Sequence, residues 1–118
     1  MIWFDALLEK TADDDLLRRC IAVVLNIDAR GLDVIHDMDQ ISDAPVTCLV
    51  TLEALGDYSQ MISIYHTGDL HPMPILEAAN RLARLLETSL LVAYDDTANP
   101  YSFIRISRLG QASVVLVD

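Results

Sequence analysis

Apolar residues recur every three or four positions in two stretches of this chain and every second position, or in unbroken short runs, in the others. The opening "IWFDALLEK" places Ile2, Trp3, Ala6 and Leu7 near one face of a helix. Thr11 then stands as the N-cap of a helix from about residue 12 to residue 26, whose positions Leu17, Cys20, Ile21 and Val24 form a buried stripe. Asp13, Asp14 and Asp15 fall in its first turn, where the partial positive charge of unpaired N–H groups favours carboxylates. The triple acid therefore reads as a solvated helix start before it reads as a metal site.

Beyond Gly31 the period shortens. "LDVIHDM" (32–38), "VTCLVTLEA" (46–54) and "SQMISIYH" (59–66) are predicted strands, with Gly56-Asp57 turning the last two into a hairpin and antiparallel pairing as the default. After Thr67-Gly68-Asp69, Pro72 and Pro74 suit the first turn of a second helix, because proline has the right φ and lacks only an N–H that finds no partner there. Its stripe is Ile75, Ala79, Leu82 and Leu86, which leaves Arg81, Arg84 and Glu87 to water. "SLLVAY" (89–94), "YSFIRIS" (101–107) and "ASVVLVD" (112–118) complete the series, separated by the turn-forming "DDTANP" and "RLGQ". The order α-β-β-β-α-β-β-β predicts one α+β domain over residues 1–118. Its mostly antiparallel sheet has about six strands, with two main helices packed on one face.

A chain of 118 residues with 53% hydrophobic content can bury one core and has little room for a second domain. Eighteen acids against eight bases leave a net charge of −10, a potential that repels nucleic acid and anionic membranes and also keeps the protein dispersed. Cys20 and Cys48 each occupy a place that suits a small apolar residue, so both read as buried thiols. Asp5 and Glu9 interrupt the apolar start and no basic segment comes before it, so a reducing cytoplasm is the expected compartment. No uncharged run approaches the roughly 18 apolar residues of a membrane helix.

Catalytic chemistry has little to build on. The glycines at 31, 56, 68 and 110 form neither a nucleophile elbow nor a phosphate cradle. His66 and His71 lie five apart without the spacing of a zinc site. Asp37-Met38-Asp39 opens like a calcium loop, but Ile41, Ser42 and Cys48 stand where an oxygen ligand, a glycine and a glutamate are needed. No metal, cofactor or catalytic group is therefore expected, although a site dispersed along the chain would leave no motif.

The segment "LVAYDDTANPYSFIRIS" (91–107) holds the most suggestive surface chemistry. Asp95 to Pro100 is a competent turn for local reasons, yet Tyr94 and Tyr101 bracket its acids and give a loop tip both aromatic surface and negative charge. The run "LARLLETSLLVAYDDTANPYSFIRIS", a helix feeding a strand, an acidic turn ending in Asn-Pro-Tyr, and another strand, resembles immunity proteins of bacterial toxin–immunity systems, including contact-dependent growth inhibition. That resemblance implies a small acidic, non-enzymatic protein that binds and neutralises a cognate toxin domain, a basic nuclease in particular. Asp37, Asp39, Tyr94, Asp95, Asp96, Asn99 and Tyr101 are then the candidate partner contacts, and Trp3, Tyr58, Tyr65, Tyr94 and Tyr101 are the available large anchors. Other readings stay open: an acidic effector-secretion chaperone of the type III class, a structural subunit, or a small enzyme with a dispersed site. A homodimer is compatible with all of them.

Overall fold

The opening segment is a strand and not the helix its spacing suggests. In the computed structural model, which describes residues 2–67, 73–93 and 102–116, β1 (Ile2–Leu8) pairs antiparallel with β4 (Tyr58–His66) and, through Leu7 and Leu8, with β5 (Leu90–Ala93). Ala6, Leu7 and Leu8 are all buried, because a strand in the middle of a sheet can be covered on both faces and then loses its polar alternation. Seven residues make barely two helical turns, too few to offset nucleation, whereas strand neighbours on both sides satisfy the backbone.

The remaining elements are α1 (Asp14–Leu25), β2 (Leu32–Ile35), β3 (Val46–Leu55), α2 (Ile75–Leu86), β6 (Ser102–Ile106) and β7 (Ala112–Leu116). The fold is α+β, with seven strands in the order β2-β3-β4-β1-β5-β6-β7, one more than expected because β1 joins the sheet. Every described pairing is antiparallel except β2 with β3, which is parallel and departs from the default. The hairpin forms as expected: Leu55 pairs with Tyr58, and Gly56 has φ 60° while Asp57 does not have a positive φ, the pattern of a type II′ turn.

Both helices pack against the sheet in one core, where Leu17 and Ile21 of α1 and Leu82 of α2 meet Leu8, Ile62 and Leu90. Each such side chain contributes about 1.5–3 kcal/mol by leaving water. In α2 the buried set is Ala78, Ala79, Leu82, Ala83 and Leu86. Ile75 belongs to the same face but remains 39% exposed, since the first residue of a stripe has core on one side only. Arg81, Arg84 and Glu87 are exposed as the spacing requires. The sheet's other face carries a smaller apolar cluster around Leu7, Tyr58 and Leu91.

The N-cap of α1 is Asp13, not Thr11, and its carboxylate accepts the Leu16 N–H at 2.8 Å. Both helices end in the same motif, in which a left-handed residue turns the chain and two N–H groups bond back to the last turn. In α1 that residue is Asn26 (φ 55°), with Ile27 N donating to Ala22 O. In α2 it is Glu87 (φ 54°), with Thr88 N donating to Ala83 O. Asparagine tolerates this conformation and glutamate does not. Cys20 and Cys48 are buried and unbridged. Burial, reinforced by the negative charge of Asp14, pushes the Cys48 thiol up to about 12, and burial raises Cys20 against the opposing charge of Arg19.

Candidate functional site: an acidic edge and a basic cleft

Because β2 is an edge strand parallel to β3, the chain must travel back over residues 36–45 before it can re-enter the sheet. That return is short, and one 3₁₀ turn, Met38–Gln40, organises it. The Asp37 carboxylate accepts the Asp39 N–H at 2.9 Å, while Gln40 Oε1 accepts the N–H groups of Asp37 at 3.2 Å and His36 at 2.8 Å. Further along, the Ser42 hydroxyl donates to the Asp33 carboxylate and accepts the Ala44 N–H at 3.3 Å. His36 Nε2 lies 2.8 Å from Asp14 Oδ2, which ties the loop to the first turn of α1 and draws the Asp13–Asp15 run alongside. The result is a rim carrying Asp14, Asp33, Asp37, Asp39 and Asp43. In the same loop two large apolar side chains face water, Met38 at 43% and Ile41 at 52% exposure.

Of the predicted partner contacts, Asp37 and Asp39 are in this loop and exposed. The structure gives Asp37 a second role as the cap that holds the turn. Tyr94, Asp95, Asp96, Asn99 and Tyr101 lie outside the described residues, as do His71 and the side chain of Trp3. Tyr58 is not available as a surface anchor: its ring is buried and its hydroxyl accepts from Arg105 Nε at 3.2 Å. Tyr65 is half-buried. Spacing alone did not single out Asp33, Asp43, Met38 or Ile41, although acids at 33, 37, 39 and 43 interleaved with apolar residues were the available signal. Among the described residues no three His, Cys, Asp or Glu side chains converge as a metal site, and no helix is long and apolar enough to cross a membrane.

A second feature lies toward the opposite edge of the sheet. Lys10, Arg84, Arg105 and Arg108, half of the eight lysines and arginines, line two adjoining clefts between the end of α2, the residues after β1 and the turn from β6 to β7. Lys10, Arg108 and Glu87 belong to both, Arg84 completes one of about 360 Å³ and Arg105 the other of about 400 Å³. Glu9, Glu87, Ser107 and Gln111 share the wall of the larger. The turn is clamped to α2, because Asn80 Nδ2 donates to Gly110 O at 2.7 Å and a β-carbon on Gly110 would stand 2.6 Å from Arg84 Nε. Elsewhere three arginines pair locally with carboxylates, Arg19 with Asp15 at 3.1 Å, Arg30 with Asp28 at 2.9 Å and Arg81 with Glu77 at 3.1 Å, while Arg18 Nε donates to Leu32 O at 3.2 Å. Hydrogen bonds from Arg30 hold the Asp28 carboxyl below its ordinary range. Among the described residues none of the four cleft cations has a carboxylate at ion-pair distance. Comparison with protein-family models, curated proteins and solved structures found no match for this chain.

Proposed function

We propose that this chain is a non-catalytic binding protein that docks its acidic edge onto a basic protein, and that the partner is a toxin domain, a nuclease in particular, as the resemblance to bacterial immunity proteins implies. The observation that carries the reading is the pair Met38 and Ile41, exposed in a loop that also exposes Asp37, Asp39 and Asp43. Interfaces typically combine an apolar centre that expels water with a charged rim that orients the approach, and methionine is favoured in such centres. The net charge of −10 adds long-range attraction toward a cationic groove such as a nuclease needs for its substrate. Steering of this kind raises the association rate, and burial of the apolar pair slows release.

The test is co-expression with a basic toxin domain encoded beside this chain, followed by association kinetics on the purified pair. Asp39→Lys with Asp43→Lys should slow capture about tenfold at low salt, with the difference shrinking as salt rises. Met38→Ala with Ile41→Ala should speed dissociation while leaving association alone. The same charge reversal at Asp95 and Asp96 assigns or removes that loop from the contact. Growth that is not rescued, or capture rates untouched by either reversal, would refute the reading.

A further inference from the structure

We propose that the cleft at the end of α2 binds a phosphorylated small molecule that also bears hydroxyl groups, as a sugar phosphate does. This site is separate from the acidic edge and does not depend on the function proposed above. Four cations against Glu9 and Glu87 leave the two adjoining clefts together at +2, while the rest of a chain of net charge −10 stands at −12. A protein with so few bases that gathers half of them around two adjoining concavities, apart from the carboxylates that pair Arg19, Arg30 and Arg81, holds them against their mutual repulsion. A bound anion relieves that repulsion.

The donors are positioned by the backbone. Lys10 N donates to Thr88 Oγ1 at 2.8 Å and Glu9 N to Ser89 O at 3.1 Å, which fixes the lysine beside the exit of α2. Arg84 rests on Gly110, where any larger residue would displace it. Arg105 spends only its Nε on Tyr58. Ser107 Oγ accepts the N–H groups of Leu109 at 3.3 Å and Gln111 at 3.1 Å, so its own proton is left to donate outward. Planar guanidinium groups beside an ammonium and a hydroxyl match the several oxygens of a phosphate.

Glu87 narrows the class of ligand. It occupies a left-handed position that glycine fills at lower cost, and it puts a negative charge at a helix C-terminus, where the dipole disfavours it. Neither penalty serves folding, and strain retained at the wall of a cavity points to a ligand contact. A carboxylate there repels bare phosphate but accepts hydrogen bonds from hydroxyl groups. A cleft of about 400 Å³ falls within the range of small-molecule sites.

Titration calorimetry on the full chain with ribose 5-phosphate, inorganic phosphate and ribose tests this. Ribose 5-phosphate should bind saturably with one site per chain, about tenfold more tightly than inorganic phosphate, and ribose should not bind. Lys10→Gln and Arg108→Gln, checked for native circular dichroism, should each weaken it about tenfold, while Arg30→Gln at the other edge should not. Glu87→Gln should raise affinity for inorganic phosphate and lower it for ribose 5-phosphate, a crossing that a merely structural role would not produce. The proposal is overturned by no saturable binding of either phosphate, by an equal loss in Arg30→Gln, or by Glu87→Gln moving both affinities the same way.

Discussion

Replacing Glu87 with glycine should stabilise the fold even though it removes a whole side chain. The two helices end in the same motif, with Asn26 at φ 55° and Glu87 at φ 54°, so each serves as a control for the other. A left-handed conformation costs a residue with a β-carbon about 1–2 kcal/mol. Glycine gives back about 0.4–1 kcal/mol through the greater freedom of the unfolded chain. Removing a carboxylate from the helix C-terminus adds about 0.3 kcal/mol at an exposed site. The net gain is roughly 1 kcal/mol, about 3–6 °C in Tm for a domain of 118 residues. Urea unfolding followed by far-UV circular dichroism measures it, with Glu87→Ala isolating the charge and Asn26→Gly isolating the conformation at a tolerant residue. Both controls should change stability by only about 0.3 kcal/mol. If Glu87→Gly is no more stable than Glu87→Ala, the conformational strain does not exist and Glu87 gives no sign of a ligand.

Gly110→Ala combines a positive φ of 88° with a collision against Arg84, so it should destabilise by about 2–3 kcal/mol. Gly56→Ala, with open space around it, should cost only about 1 kcal/mol, and equal denaturation midpoints for the two variants would remove Arg84 from the explanation. Cys48 carries a folded-state pKa of about 12 against an ordinary value of 9.0, so the folded protein keeps a proton that the unfolded chain releases. Stability from this group is therefore complete below the unfolded value and is lost as pH rises toward the folded one. Between about pH 8.5 and about pH 11 the parent protein should lose about 2.5 kcal/mol more than Cys48→Ala. Parallel denaturation curves for the two proteins across that range would show that the thiol does not titrate as the burial implies.

Much of the architecture was legible because helices and solvent-facing strands write their environment into their period. The α1 stripe of Leu17, Cys20, Ile21 and Val24, the Gly56 hairpin and the last three strands all lie where local pattern places them. β1 escaped for a physical reason: Ala6, Leu7 and Leu8 are covered from both sides, and a strand without a wet face carries no alternation to read. The parallel pairing of β2 with β3 was equally hidden, since direction depends on how the chain returns and not on which residues pair.

The candidate sites divide along the same line. Acidity at Asp37 and Asp39 is a local property, so the sequence by itself marked that stretch, along with the overall charge and the absence of a catalytic motif. Only the tertiary structure could reveal that Met38 and Ile41 stand exposed between the acids, or that Lys10 shares two adjoining clefts with Arg84, Arg105 and Arg108. Periodicity reports the surroundings of one element at a time. A cleft assembled from β1, α2 and the β6–β7 turn depends on how those elements meet, and that is decided by burying the apolar face they share.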